Sequence, residues 1–181
     1  MATNSRKPRN SRGFTLVEIL VAIGVLAVAA MVATPGLGEY LRDCRRSATL
    51  NLLAHAVHTT RAAAAALGVR ATLCGTFDGT SCSRSNDWSD AVLVLPDSPG
   101  GAAASPAPVR VLRLDAGRTR QTVRSNRNAI ELDPLSPYAT TATVTVCDDR
   151  GARSARALIV SRTGRPRISD RDASGRLLAC P

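Results

Sequence analysis

The organisation of this chain is decided by residues 13–37, GFTLVEILVAIGVLAVAAMVATPGL. Residues 14–33 form a run of 20 in which Thr15 and Glu18 are the strongly polar members. A helix of about 20 residues spans the ~30 Å hydrocarbon core of a bilayer. We therefore expect residues 14–35 to form a transmembrane helix that anchors the rest of the chain.

The segment before this run is polar and basic, with positive charges at Arg6, Lys7, Arg9 and Arg12. The positive-inside rule keeps such a flank in the cytoplasm, so the C-terminal domain is expected on the periplasmic side of the inner membrane. A secretory signal peptide and an ordinary signal anchor are the alternatives, but the apolar region of a signal peptide is usually only ~7–15 residues long. Glu18 counts against both, because a carboxylate inside a membrane helix costs about 2–3 kcal/mol.

The hexapeptide Gly13-Phe14-Thr15-Leu16-Val17-Glu18 resembles the processing site of type IV prepilins and type II secretion pseudopilins. The resemblance implies that prepilin peptidase removes residues 1–13 as a leader, cutting between Gly13 and Phe14, and that Phe14 is then N-methylated. Pro35 stands where this family often has a helix-kinking proline. The partners implied are prepilin peptidase, the inner membrane and other pilins or pseudopilins in a filament.

Glu18 has a physical role in such a filament. Cutting after Gly13 creates a positively charged amine on Phe14, and the helices of a filament pack in its centre, away from water. Glu18 of one subunit could then pair with the Phe14 amine of a neighbour, and two such charges are tolerable only when paired. We therefore expect Glu18 to set the register of assembly rather than to act as a catalytic acid.

The helical pattern resumes after Pro35 and is expected to continue to Gly68, a C-terminal stop. Small and apolar residues recur at spacings of three or four and predict one buried stripe. The stripe contains Leu41, Cys44, Ala48, Leu52, Ala56, Thr59, Ala63 and Leu67, while Arg42, Arg45, Arg46, Asn51, His58 and Arg61 lie largely off it. Residues 36–68 are thus predicted to be the amphipathic half of one long helix, which lies on a sheet.

After Gly68 the pattern changes to short runs, several of which alternate apolar and polar residues between turn residues. The predicted strands are residues 69–74, 91–95, 109–114, 129–132, 142–146 and 157–161. Residues 98–108 are expected to form a flexible loop, and residues 163–181 a partly mobile Arg-rich tail. The predicted class is α+β, with an antiparallel β-rich domain over residues 69–181, and this order of elements is also that of the pilin fold.

The five cysteines include no C-x-x-C pair, which argues against a zinc ribbon or a thioredoxin site. Disulfides are their natural use outside the cytosol. Chain position favours Cys74 with Cys82 across a hairpin loop and Cys147 with Cys180 between a central strand and the tail. Four cysteines allow three connectivities, so the pairing stays open at this point. Cys44 is left as a small residue on the helix stripe.

Three further segments resemble the FimT/GspH branch of minor pilins and pseudopilins. They are Cys74-Gly75 with Cys82 and Asp87-Trp88-Ser89, Val146-Cys147-Asp148 with Arg150-Gly151, and Gly164-Arg165-Pro166-Arg167. The first departs from the branch pattern, because Ala91-Val92 stands where Gly-Trp is usual and Leu95-Pro96-Asp97 replaces Phe-x-Asp. The likeness nevertheless covers most of the chain.

The formal net charge is +10, and from residue 109 onward 14 arginines stand against seven acidic residues. Such an excess either attracts phosphates or reflects an Arg-rich genome that places arginine on any solvated face. Gly164 and Pro166 break regular structure, so Arg165 and Arg167 are expected to project from a loop to the same side. Guanidinium groups bind phosphate bidentately. Binding should be independent of base sequence, because no aromatic residue lies in the cluster.

The GRxR motif resembles that of FimT-type minor pilins, which bind DNA during natural transformation. The resemblance makes Gly164, Arg165 and Arg167 the leading DNA-binding residues, with support from Arg162, Arg171 and Arg176. In the alternative, the tail is solvated and its arginines pair with Asp148, Asp149, Asp170 and Asp172. The chain is then a GspH-like structural pseudopilin of the type II secretion system with no role in DNA binding.

No Ser/His/Asp arrangement, P-loop or dinucleotide signature is present, so we expect no enzymatic activity and no cofactor. His55 and His58 lie three residues apart on the predicted helix, a spacing that could suit a metal. No third ligand is evident nearby in the sequence, so no metal site is predicted.

Overall fold

The computed structural model describes residues 13–97, 107–136 and 138–180, without the side chains of residues 32–35. The predicted leader up to residue 12, the predicted kink at Pro35 and most of the predicted loop over residues 98–108 lie outside the described residues. The chain divides into two compact units, Met1–Leu41 and Arg42–Pro181. Helix α1 extends over Leu16–Leu67, so the boundary between the units falls within it.

In the first unit, Phe14 and the described large apolar side chains of α1 are exposed. Those of the helix include Leu16, Val17, Ile19, Leu20, Val21, Ile23, Val25, Leu26, Val28 and Met31. Within the described part of the chain, no single helix is long and apolar enough to cross a membrane; Leu16–Met31 and Gly36–Leu67 satisfy that test only as a pair. The membrane segment over residues 14–35 stays a prediction.

In the second unit, α1 buries a face that differs from the predicted stripe. The buried residues are Arg46, Thr49, Leu50, Leu53, Ala56, Val57, Thr60, Ala63 and Ala64. The predicted stripe shares only Ala56 and Ala63 with this set, and Cys44, Ala48 and Leu67 are exposed, so its phase was wrong. The larger side chains of Leu50, Leu53 and Val57 decide the face, because they remove more apolar area from water than alanine does. The helix ends as predicted at Gly68, whose φ is +67°.

The β region contains eight strands in two antiparallel sheets. The strands are β1 Ala71–Thr76, β2 Ala91–Pro96, β3 Arg110–Arg113, β4 Gln121–Ser125, β5 Ala129–Leu132, β6 Ala142–Asp148, β7 Arg156–Val160 and β8 Pro166–Ser169, with a short 3₁₀ turn at Ala116–Thr119. Sheet A has the order β3-β2-β1-β5 and sheet B the order β4-β6-β7-β8. The α+β class is confirmed, and all six predicted strands are present, β5 with the predicted ends and the other five with shifted ends. The prediction missed β4 and β8.

One core joins the helix and the inner faces of both sheets. It includes Leu53 and Val57 of α1, Leu73 of sheet A, and Val144 and Leu158 of sheet B. A smaller cluster lies on the other, outer face of sheet B, where Cys147, Ala155, Ala157 and Ile159 pack with Leu178. The C-terminal segment therefore covers part of the outer face of sheet B.

Both disulfides that chain position favoured are formed, Cys74–Cys82 and Cys147–Cys180. The first closes a loop beside Gly75, where an added Cβ would lie 2.5 Å from Cδ1 of the buried Trp88. The second fixes the C-terminal segment to β6. Residues 163–180 were predicted to be partly mobile, but they form β8, a turn at Asp172–Gly175 and the anchored Leu178.

Candidate functional site

The turn before β8 is held from both sides. Gly164 is buried with a φ of +65°, and its amide donates to the Ser161 carbonyl at 2.8 Å. Arg165 donates its amide to the Ser161 hydroxyl at 3.1 Å, and the Ser161 amide donates to the Arg165 carbonyl at 3.1 Å. Arg61 of α1 donates to the Thr163 carbonyl. Gly164 thus shapes the turn that presents the arginines and is not itself part of the exposed surface.

Arg167 stands on the edge strand β8, so the predicted loop was wrong for this residue, while Arg165 lies outside regular structure immediately before the strand. Pro166 begins β8, a position that suits proline because an edge strand leaves one row of N–H groups unpaired. Arg167 pairs with Ile159, and Arg165 lies opposite Ser161 in the same register. Residues two apart share one face of a strand. Ile159 faces outward, so both arginines project from the outer face, and both are exposed.

The guanidinium groups of Arg165, Arg167 and Arg162 form no ion pair with any described residue. Three of the aspartates that could neutralise the arginines of the tail are already paired, and only Asp172 is paired with an arginine of the tail. Asp148 pairs with Arg46 and Arg150, Asp149 with Arg42, and Asp172 with Arg176. The positive charge at the start of β8 is therefore not cancelled locally.

Two of the supporting arginines instead hold the C-terminal turn. Arg176 donates its amide and its Nε to Asp172, and these bonds, the amide bond first, hold the pKa of Asp172 below its usual range. Arg171 donates from Nη1 to the Gly175 carbonyl at 3.0 Å. Of the three supporting residues, Arg162 is the one whose guanidinium has no bond within the described chain.

A buried ionic cluster at the first turns of α1 in the second unit was missed by the sequence reasoning. Arg46 is only 7% exposed although it was predicted to lie off the stripe. It donates to Asp43 Oδ1 at 2.8 Å and to the Ser154 carbonyl, and its Nη1 lies 3.9 Å from Asp148 Oδ2. Arg150 bonds both aspartates, so the cluster ties α1 to the β6–β7 turn.

Burial raises the pKa of Asp148, but hydrogen bonds from Arg150 and Ser154 outweigh it and leave that pKa at about 2. The Asp148 side chain is nearly buried, at 3% exposure. Asp148 is therefore ionised in the folded protein near neutral pH, and its negative charge is part of the buried ionic cluster. The segment Cys147-Asp148…Arg150 had been singled out in the sequence, but its partner Arg46 had no sequence signal, because only packing places it inward.

The residues predicted to govern assembly lie at the start of α1. Phe14 is 79% exposed, and the amide of Glu18 donates to the Thr15 hydroxyl at 3.3 Å as the helix begins. Glu18 is exposed and has no ion-pair partner in the described part of the chain. The helix therefore starts directly after the predicted cut, with Glu18 in its first turn.

His55 and His58 are both exposed on α1, and Nε2 of His55 lies 3.5 Å from the Thr59 hydroxyl. Within residues 13–97, 107–136 and 138–180, no three potential metal ligands of the His, Cys, Asp or Glu type come together. The two histidines are therefore left as surface residues of the helix.

Comparisons with known proteins agree with this architecture. Residues 8–34 match the model of the prokaryotic N-terminal methylation motif, and residues 49–164 match that of type II transport protein GspH. Two crystal structures of the type IV minor pilin FimU from Pseudomonas aeruginosa strain PAO1, in space groups P65 and P21, share the fold with a TM-score of 0.53 each. They are 16% and 18% identical and cover 75% of this chain, which in turn covers 99% and 94% of theirs. No curated protein sequence matches the chain.

A long N-terminal helix, two antiparallel sheets and a methylation motif define the class of type IV pilins and pseudopilins. The GspH model covers more than half of the chain, and the chain belongs to the GspH family of that class. Proteins of this class are structural subunits of pilus-like filaments rather than enzymes. The methylation motif and the apolar helix fit anchoring in the inner membrane.

Proposed function

We propose that this chain is a FimT-like minor pilin that binds DNA without sequence preference during natural transformation, through Arg165 and Arg167. One observation carries the proposal: the exposed guanidinium groups of Arg167 on edge strand β8 and of Arg165 just before it project to the same side and have no carboxylate partner in the described chain. The guanidinium group of arginine is planar, always charged and matches the geometry of phosphate. A phosphate backbone offers bidentate acceptors for both.

Processing and assembly complete the proposal. Prepilin peptidase cuts between Gly13 and Phe14, and Phe14 is methylated. Residues 14–35 then anchor the subunit in the inner membrane until it enters the filament, and residues 69–181 lie in the periplasm. Glu18 pairs with the Phe14 amine of a neighbouring subunit, which is supported by its lack of a partner within its own described chain.

The second candidate is a structural pseudopilin of the type II secretion system. The description of the matching family, type II transport protein GspH, favours it directly. In that case the neighbouring pseudopilins are the partners and the arginines of β8 remain solvated. Binding of DNA separates the two candidates, because only the first requires it.

The test is a mobility-shift titration of the purified full-length chain in detergent with a short duplex of mixed sequence. Arg165→Ala with Arg167→Ala should weaken binding, and the salt slope should fall by about 1 for each lost phosphate contact. The matched control is Arg110→Ala with Arg113→Ala on β3, which removes the same charge from exposed positions of sheet A. Equal binding by the two double variants would remove β8 from the proposal, and no binding by the wild type would favour the secretion role.

A further inference from the structure

The outer face of sheet B brings a further arginine onto the same surface as the motif. Arg124 of β4 pairs with Thr145 of β6, which pairs with Ala157 of β7 on the outer face. Directly paired residues point to the same side of a sheet. Arg124 therefore shares its face with Arg167. It lies opposite Ser169 in register, so Arg167 is about 14 Å away across the strands and about 7 Å along them, roughly 16 Å in all.

A groove lies on this face between the C-terminal segment and strands β4 and β6. Its volume is about 550 Å³, and its lining includes Arg124, Asn126, Thr143, Thr145, Arg176 and Leu178. Its outer wall is fixed, because Leu178 is buried against sheet B, Cys180 is bonded to Cys147, and Arg171 pairs with Leu177. The groove is thus a built feature of the fold.

The groove has the chemistry of an anion-binding surface. The exposed guanidinium of Arg124 forms no ion pair with a described residue, and the hydroxyls of Thr143 and Thr145 lie beside it in the lining. Two carboxylates lie near. Asp87 forms a backbone β-bridge with Arg124 and accepts the Ser89 amide at 3.0 Å; burial raises its pKa, but hydrogen bonds from Ser89 and then the charge of Arg124 lower it. Asp172 is part of the groove lining and pairs with Arg176. No aromatic residue lines the groove, so it offers hydrogen bonds and positive charge rather than base stacking.

We infer that the nucleic-acid strand held by Arg165 and Arg167 continues over the C-terminal segment, which covers the outer face of β7, into this groove, where Arg124 is a second phosphate contact. The inference rests on the proposed DNA-binding function and extends it from a two-residue contact to a path that crosses the C-terminal segment. The positive charge at both ends of the path favours a polyanion as its occupant. A path roughly 16 Å long carries several phosphates of one strand, at about 3.4 Å per nucleotide along a duplex. Unpaired arginines stand at both of its ends.

The experiment compares Arg124→Ala with Arg113→Ala in the full-length protein. Both positions are exposed, both changes remove one positive charge, and Arg113 lies on sheet A. With the same duplex, Arg124→Ala should bind about fivefold more weakly than the wild type and show a salt slope lower by about 1, while Arg113→Ala should stay within about twofold. Thr145→Glu, which places a carboxylate inside the groove, should weaken binding at least as much as Arg124→Ala.

The possible outcomes distinguish a failure of this inference from a failure of the proposed DNA-binding function. If the wild type binds DNA and the β8 double variant loses binding, but Arg124→Ala equals Arg113→Ala, the path is wrong and the contact at β8 stands. If the wild type binds no DNA, the proposed function itself fails. Polyglutamate serves as an acidic polypeptide in a parallel titration of the same variants. If Arg124→Ala loses binding to polyglutamate and keeps binding to DNA, the groove accepts an acidic polypeptide and the inference is overturned.

Discussion

Gly164 of the Gly-Arg-Pro-Arg segment lies directly against the guanidinium of Arg61 on helix α1. A Cβ at residue 164 would collide with that guanidinium and would also lie 2.9 Å from Cδ2 of Leu132 and 3.2 Å from Cβ of Ala139. The adjacent carbonyl of Thr163 accepts a hydrogen bond from Arg61. The position of the exposed arginines is therefore set by a contact between the helix and the turn that precedes β8.

Gly164→Ala should destabilise the domain and weaken DNA binding although both arginines remain. An alanine at positive φ costs about 1–2 kcal/mol, and the collisions should bring the loss of unfolding free energy to about 3 kcal/mol. Gly175→Ala is the matched control, because its φ is +82° and no atom lies within 4 Å of the added Cβ. Urea unfolding of residues 42–181 measures both, and equal losses would contradict the contact with Arg61.

Arg46→Ala should lower the free energy of unfolding by about 3 kcal/mol, because removing one member of a buried ion pair leaves its partner without full compensation. Asp148 would keep Arg150 and Ser154, which holds the loss at the lower end of the usual range. The neighbouring Arg45→Ala, at an exposed position, should change stability by less than about 0.5 kcal/mol. Chemical denaturation distinguishes them, and an equally mild Arg46→Ala would mean that the cluster adds no stability.

The stability of the second unit should depend on pH through Asp148. Its folded-state pKa of about 2 is below its unfolded value of about 3.9, so its contribution is complete above pH ~4 and is lost as the pH falls towards 2. The loss for this one group should be about 2 kcal/mol. Denaturation at several pH values tests this. Asp148→Asn should make the free energy of unfolding depend less on pH between pH ~4 and ~2, and an unchanged dependence would rule out Asp148 as its source.

The two disulfides should contribute unequally. The residues joined are 33 apart in Cys147–Cys180 and eight apart in Cys74–Cys82. Because it restricts a longer loop of the unfolded chain, Cys147–Cys180 should stabilise the folded protein by about 3.7 kcal/mol, compared with about 2.5 kcal/mol for Cys74–Cys82. Two variants, each with both cysteines of one disulfide replaced by serine, are compared with the wild type by thermal unfolding to measure this difference. Opening Cys147–Cys180 should also weaken DNA binding, since it releases one wall of the groove.

Glu18→Ala should leave membrane insertion intact and prevent incorporation into filaments, because the neighbouring Phe14 amine would lose its partner. Glu39→Ala is the control: it removes a carboxylate from an exposed position on the same helix, outside residues 14–35. Fractionation of membranes and sheared filaments gives both readouts. Normal incorporation of Glu18→Ala would exclude the pairing, and mass spectrometry showing residues 1–13 still attached would exclude the processing.

Local patterns predicted a large part of the fold. The alternation of residues 142–146 in β6, the apolar runs of β2 and β7 and the glycine that follows α1 are properties of adjacent residues, and all were found. Strand β4 has no apolar pattern of this kind, because Val123 is the only apolar residue of Gln121–Ser125, and its alternation of buried and exposed residues arises only in the folded sheet. The phase of the helix stripe could not be read correctly, because alanines on several faces make different stripes look equally apolar.

The sequence by itself determined the class of this protein: the methylation motif, the apolar N-terminal helix and the order of helix before strands are written along the chain. Only the tertiary structure decided how the charges are used. It buries Arg46 and pairs Asp148, Asp149 and Asp172 with arginines other than Arg165 and Arg167. It also makes residues 166–169 an edge strand, with Arg167 on its outer face and Arg165 just before it. The reason is that ion pairing and strand pairing depend on residues far apart in sequence, which come together only when the core of helix and sheets forms.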